Sequence, residues 1–502
     1  MKITMKKVFV LVFFFFVSLC INATFYHYPA EDDTDDVFNI DDSLLITVYP
    51  NAGIKPTRRV DRNDPFSHVL YSRITPNSPL LHDYLILAEK NIFLSLTKEI
   101  RTYAEDVHAV YGYGIIIEYV ENPRPDSLKN LIKNYQDNLC GVILIGNMGE
   151  CFFETQNDHG KYGYRIWPCD LYFMDLDGVW TDSDSNGVYD THTGNVAPEI
   201  FFGRLSTAGL PSCENEEVWI RQQLQKSHDY WWKTSYHAQS TTLNYIDEDW
   251  NTTFLSSIIR NVFSTLNVTN VKYGYESSFS PSDYLSRISS DTFGFTHLAA
   301  HSSPIHHGFT NGTIHSHQIK AINSYNYAYS LFCCSACNWA AGYSDDYLGG
   351  AYLFNNGKTI AIIGTTKTGG MDPFSISEFY PMLANSNLGE SFLHWWSQFG
   401  NNHSPNEIHW YYGMTILGDP TIDFRYQVSD LCVNNLSLAT FPSNNSSNLI
   451  IYKAGNKITV SGSFVIPQGV HVIFDAPQVV FEENFTCSSG ASFETRSEGC
   501  EL

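Results

Sequence analysis

The chain has 502 residues and a formal charge of −23, with 30 Lys and Arg against 53 Asp and Glu. That length supports roughly two to four domains with substantial cores. The balance lacks the clustered basic surplus that neutralising phosphates demands, so nucleic acid is excluded as a partner. The acidic surplus suits solubility outside a cell and offers carboxylates to a hard cation such as calcium.

Lys2, Lys6 and Lys7 precede an apolar run from Val8 to Val17, and the small residue Ala23 follows. Charged start, short apolar centre and small-residue exit are the parts of a secretory signal, read here as residues 1–23. No later stretch reaches about 18 consecutive apolar residues, so no transmembrane span is expected. The protein is expected outside the cell or at its surface. Ten of the eleven cysteines lie beyond the signal. In an oxidising compartment some of them pair, and Cys487 with Cys500 is the most local candidate.

Residues 24–82 form an N-terminal extension with a strand candidate at Leu44 to Tyr49. From residue 83 the texture changes. Strands are expected at Asp83–Ala88, Gly114–Val120 and Gly141–Gly146, and helices at Ile92–Ala104 and Ser127–Gln136. Strands alternating with helices imply parallel β-α-β units, here over 83–215. A loop-rich stretch fills the chain to about residue 200.

The rhythm restarts over 216–428. Strands are expected at Thr241–Tyr245, Asn270–Tyr273, Gly294–Ala299, Tyr329–Cys334 and Thr359–Ile363. Helices are expected at Phe254–Thr265, Pro281–Ile288 and Gly389–Phe399. The fold class is therefore α/β, two tandem subdomains with parallel sheets. Short alternating runs between Lys457 and Phe481, broken by Gly, Pro and Asn, add a small all-β module over 429–502.

Two segments that leave predicted strands carry chemistry. They are Phe295-Thr-His-Leu-Ala-Ala-His-Ser-Ser-Pro and Ser330-Leu-Phe-Cys-Cys-Ser-Ala-Cys-Asn. Ligands of open parallel sheets bind at the carboxyl ends of the strands, so a His and a Cys there can meet. A thiol is mostly protonated at neutral pH; a neighbouring imidazole favours the thiolate and can protonate the leaving amine. Cys337 and His301 are the expected pair, with Cys333 and Cys334 placed inside the strand.

These segments resemble the gingipain-type cysteine peptidases, whose catalytic domain has a caspase-like fold. The resemblance runs in order through Asp170-Leu-Tyr-Phe-Met-Asp-Leu-Asp-Gly, Pro198-Glu-Ile-Phe-Phe-Gly-Arg-Leu, His301-Ser-Ser-Pro and Ala336-Cys337-Asn. It continues through Gly364-Thr-Thr-Lys-Thr-Gly-Gly-Met and Tyr412-Gly-Met-Thr-Ile-Leu-Gly-Asp-Pro-Thr. It implies a secreted endopeptidase acting on proteins or peptides and needing no cofactor for its chemistry. In that scheme Cys337 attacks the carbonyl and His301 is general acid/base. Glu248 or Asp247 orients the imidazole, and the N–H groups of Ser302 and Cys337 hold the oxyanion. The family's usual residue after the histidine is Gly; Ser302 keeps the N–H and restricts the dihedral angles.

Two other readings belong to different classes. One is a non-catalytic extracellular binding or adhesion protein that keeps the fold. The other is a zinc hydrolase using some of His297, His301, His306, His307, His315 and His317. Separately, Asp182-Ser-Asp-Ser-Asn-Gly-Val-Tyr-Asp resembles the start of a calcium loop. Asp182, Asp184, Asn186, the Val188 carbonyl and Asp190 stand at ligand positions, and Asp175 and Asp177 are near in sequence. Thr193 stands where a standard loop has its bidentate Glu, and a polar turn is the alternative.

Overall fold

The computed structural model describes residues 65–234, 241–247, 270–274, 280–290, 293–371, 376–399, 405–424 and 428–501. The signal, the Leu44–Tyr49 strand, the Phe254–Thr265 helix and Glu248 lie outside the described residues.

Among the described residues, eleven strands build the central sheet. In the first half these are β1 (Ser67–Ile74), β2 (Asp83–Glu89), β3 (Gly114–Glu121), β4 (Leu139–Ile145) and β5 (Phe201–Leu205). The second half contributes β6 (Thr241–Ile246), β7 (Asn270–Gly274), β8 (Phe295–Ala299), β9 (Ala328–Phe332), β10 (Ala361–Thr365) and β11 (Met414–Gly418). Their order across the sheet is β1-β3-β2-β4-β5-β11-β10-β9-β8-β6-β7. The two α/β halves thus share one sheet.

Strand direction divides that sheet. β3, β2, β4, β5 and β11 pair in parallel. β10, β9, β8, β6 and β7 form a second parallel block. The blocks meet antiparallel at β10–β11, so the second block gathers its own carboxyl ends along one edge of the sheet. Every residue of β2, β8, β9, β10 and β11 is buried, as expected of strands covered on both faces. Each fully buried Leu or Ile there contributes about 1.5–3 kcal/mol of transfer free energy.

The helix expected from Ile92 is two helices, Lys90–Ser95 and α1 (Thr97–Tyr111). Gly112 ends α1 in a left-handed conformation (φ 69°) and donates to His108 O at 2.8 Å, a backbone state that favours glycine. α2 (Glu216–Trp232) has Asn215 as N-cap, its side chain accepting from Val218 N–H.

The C-terminal strands pair in parallel, stacked coil on coil: Leu449 faces His471, and His471 faces Ser492. Phe464, Phe474 and Ile466 fill their own small core. The module is fastened to two of the helices, those of residues 97–111 and 216–232. Arg496 pairs with Glu105, and His228 bridges Asp106 and Glu498. Cys500 is joined to Cys432, and Cys487 is free and exposed. This corrects the expected Cys487–Cys500 pair: sequence proximity counted for less than the return of the chain end to the helix–module junction.

Candidate active site

Four loops leave the carboxyl ends of β6, β8, β9 and β10 and carry the candidate residues. β8 and β9 are in register, with Ala299 opposite Phe332. Ala300 N–H donates to Phe332 O at 3.3 Å. His301 and Cys334 each stand two residues beyond that pair. Ser302 Oγ donates to Cys334 O, fastening the two strand ends together. His301 and Cys334 are both half-buried.

β9 ends at Phe332, two residues earlier than its apolar run suggests, and the chain reverses. Ser335, immediately after Cys334, takes φ 54°, a left-handed state rare for non-glycine residues and concentrated at functional turns. Ser335 N–H donates to Lys367 O at 2.7 Å, and Cys337 N–H to Thr365 O at 2.9 Å. Residues 335–337 therefore run back down beside β10, and Cys334 stands at the turn.

Cys337 lies three residues past Cys334, beside β10. Its side chain is fully buried, and its sulfur fills a slot left open by two glycines. A Cβ on Gly364 would lie 2.6 Å from that sulfur, and one on Gly349 2.9 Å. Burial and then the Asp170 charge push its thiol well above the usual range. Its N–H, the expected oxyanion donor, is given to Thr365 O. Cys333 is buried as well. Cys334 is the thiol of the three with an open face. Its sulfur accepts from Gly369 N–H at 3.4 Å.

Asp247 follows β6 and donates its N–H to Ala299 O at 2.8 Å. Its buried carboxylate accepts from Thr310 N–H at 3.2 Å and 3.4 Å, which ties down the hairpin after His301. Ser302 is absent from the residues with positive φ, so serine carries no left-handed strain there.

The remaining histidines divide by burial. His297 is fully buried in β8, 2.6 Å from Tyr380 Oη, and desolvation pulls its pKa down to about 3. His307 is likewise buried, 3.0 Å from Tyr352 Oη, and lowered to about 3. His306 Nδ1 meets Ser303 Oγ at 2.7 Å, and the exposed His315 and His317 rings stack at 5.6 Å. Among the described residues, none of the six joins a three-ligand cluster.

The loop after β10 also carries Lys367, which the sequence reading did not single out. Its buried ammonium reaches Asp158 Oδ1 at 2.8 Å, Thr368 O at 2.6 Å and His409 O at 3.0 Å. Burial works against the charged Asp158 carboxylate; His409 and Lys367 outweigh it and hold its pKa below the usual range.

In the first half, the Asp182 loop folds around its own carboxylates. Asp182 accepts from Asn186 N–H at 3.1 Å and Gly187 N–H at 2.8 Å. Asn186 Oδ1 accepts from Val188 N–H at 2.9 Å, and Asp190 accepts from Ser183 N–H at 3.2 Å. Glu154, Asp184 and Asp190 offer ligand oxygens within 4.8 Å of one another. Glu154 was missed because it comes from a separate strand, Phe152–Thr155. Asp175 and Asp177 group instead with Glu199, and Asp175 is bound to His192 Nε2 at 2.7 Å and Trp180 Nε1 at 2.8 Å.

A thiol and a histidine thus stand just beyond adjacent, in-register strands of a parallel α/β block. The family model for peptidase family C25 matches residues 79–425, and the chain belongs to that family of cysteine peptidases. Among solved structures it is similar to the Arg-specific cysteine proteinase gingipain R (RGPB). The identity is 14%, with 73% of this chain and 84% of that one covered and a TM-score of 0.51. It is also similar to the complex of Porphyromonas gingivalis RgpB pro- and mature domains. There the identity is 14%, the coverage 71% and 84%, and the TM-score 0.50. At that identity the likeness speaks for the fold, and it agrees with the caspase-like α/β architecture expected above. No curated protein matches the chain. Among the described residues no helix is long and apolar enough to cross a membrane.

Proposed function

We propose that this is an exported cysteine endopeptidase in which Cys334 is the nucleophile and His301 the general acid/base. The observation that carries the reading is the register: His301 and Cys334 are equal steps beyond Ala299 and Phe332. Gly369 N–H on the sulfur favours the thiolate over the thiol. The thiolate attacks the scissile carbonyl carbon and forms an acyl-enzyme as the C–N bond breaks. His301 gives its proton to the departing amine, then takes one from the water that releases the acid. Ser302 N–H is the backbone donor beside the developing oxyanion. Asp247 or Glu248 is the carboxylate we assign to orienting His301; loss of turnover in Asp247→Asn or Glu248→Gln with Cys334 still alkylated would identify which.

Export rests on the 1–23 signal, and N-terminal sequencing of the secreted protein beginning near Ala23 is its test. Calcium is proposed for the Asp182 loop, with Glu154 supplying the carboxylate that Thr193 lacks; the ion would brace the loop and take no part in peptide cleavage. The decisive experiment is hydrolysis of a fluorogenic peptide library by Cys334→Ala and Cys337→Ala. Abolition in the first and retention in the second are expected; the reverse pattern overturns the assignment.

A further inference from the structure

The peptide group that touches the nucleophile is held at both ends. Gly369 N–H donates to Cys334 Sγ at 3.4 Å. The carbonyl of the same peptide group, Thr368 C=O, accepts from Lys367 Nζ at 2.6 Å and from His159 Nε2 at 3.3 Å. Lys367 is in turn held by Asp158 Oδ1 at 2.8 Å and His409 O at 3.0 Å. Four hydrogen-bonded groups thus run in sequence from a carboxylate to a sulfur: Asp158, Lys367, the Thr368–Gly369 peptide and Cys334.

Two backbone states support this arrangement. Gly369 has φ +121°, which L side chains rarely adopt, and a glycine there lets the N–H face the sulfur. His159 has φ 49°, strain that brings its ring to the same carbonyl. A cation on a carbonyl oxygen polarises the peptide and strengthens its N–H as a donor, an effect enlarged where water is excluded. Lys367 and Asp158 are both buried. A pair that only pinned loops would bear the desolvation of two charges for little net gain.

We propose that Lys367 and Asp158 are positioning residues that stabilise the Cys334 thiolate through the Thr368–Gly369 peptide. The proposal rests on the reading of Cys334 as nucleophile. The titratable groups around the chain of contacts are Asp158, His159 and Arg165 from one segment, His409 from the 405–410 helix, and Cys333 and His301 from the strand ends. Burial holds the Lys367 pKa below its usual range, while Asp158 and an ionised Cys334 favour its charged form.

The test is the pH dependence of Cys334 alkylation by iodoacetamide, read by peptide mass spectrometry on folded protein. Lys367→Met should raise the midpoint by about one pH unit, slowing labelling about tenfold below it. Lys367→Gln keeps a donor without the charge and should also raise the midpoint, and it decides the matter alone where the Met variant fails to fold. Lys367→Arg should restore labelling to within about threefold of the unmodified protein and keep kcat, whereas the Met and Gln variants lose kcat with KM little changed. Unmoved midpoints in folded Met and Gln variants overturn the proposal while leaving Cys334 as nucleophile. A Cys334→Ala protein that still cleaves peptides overturns the underlying reading instead.

Discussion

His301 and Cys334 are linked through Ser302, whose hydroxyl donates to the carbonyl of Cys334 at the ends of two parallel strands. His301 and Cys334 are both half-buried, while Cys337 is fully buried, walled in by Gly349 and Gly364. Reactivity follows thiolate character and access. Brief iodoacetamide treatment near neutral pH should therefore label Cys334 well before Cys333 or Cys337. His301→Ala should slow that labelling and lower kcat/KM by at least about a hundredfold, the usual worth of a general acid/base. Equal labelling of all three cysteines, or full turnover in His301→Ala, would sink the dyad.

The sequence names Cys337 where the proposal names Cys334, and the difference has a definable reason. Leu331–Cys334 is an unbroken apolar run, and nothing in Cys-Cys-Ser-Ala-Cys signals a chain reversal. The turn is made by Ser335 at φ 54°, a residue with no glycine-like signature. The proposed choice of Cys334 over Cys337 rests on register, and register is a property of two strands together. Glu154 escaped similarly: it reaches the Asp182 loop from another strand, with no spacing rule to announce it.

The disulfide between Cys432 and Cys500 closes a sequence separation of 68 residues. Chain-entropy reasoning gives a cross-link of that span about 4 kcal/mol. Replacing both cysteines by serine should lower stability by roughly 2–5 kcal/mol and loosen the Arg496–Glu105 contact. Denaturant titration of the double variant measures the loss. Complete alkylation of Cys432 and Cys500 in denatured, unreduced protein would show that the bond is not formed.

His228 ties α2 to the same module. Burial pulls its pKa down, but Asp106 and Glu498 outweigh burial and push it up from 6.5 to about 10. Its contribution is fully present below pH 6.5 and is lost as pH rises through about 10. His228 chiefly lowers the Glu498 pKa, from 4.5 to about 2, so that contribution is lost as pH falls through about 2. The pair therefore contributes fully between about pH 4.5 and 6.5. His228→Gln should flatten the fall in urea stability between pH 7 and about 9.5. Parallel pH profiles for the variant and the unmodified protein would mean that His228 is not charged at neutrality.

More of the fold was legible than of the site. The apolar runs at Asp83, Gly114, Leu139 and Phe295 are strands because both faces of the sheet are covered, and such strands need no alternation. β5 and β11 were harder. Phe201-Phe-Gly-Arg-Leu includes Arg204, which is buried because Asp170 pairs with it at 2.6 Å. A charge in a central strand hides that strand from any reading based on apolar runs. These two strands also join the halves, through the Arg204–Leu417 bridge, so missing them left the two sheets looking separate.

Calcium is the last prediction. A polar turn can satisfy Asp182 and Asn186 through their own backbone N–H bonds, and such bonds alone do not distinguish a turn from an ion site. Glu154 makes the difference: it is buried, yet faces Asp184 and Asp190. Burial, then those two charges, raise its pKa against the hydrogen bonds from Tyr164 and Asn186. A divalent cation among the three would relieve that repulsion. An ion that binds only the folded state stabilises it by mass action, about 2.7 kcal/mol at a hundredfold excess over Kd. The unmodified protein should therefore melt at a higher temperature in calcium than in chelator, and magnesium should substitute poorly because the site offers flexible carboxylates in place of a rigid octahedron. Glu154→Gln should reduce the calcium increment, and Asp182→Ala with Asp184→Ala should abolish it while peptide cleavage persists. Identical melting temperatures in calcium and chelator leave the segment as a polar turn. A full increment in Glu154→Gln would place the ion elsewhere.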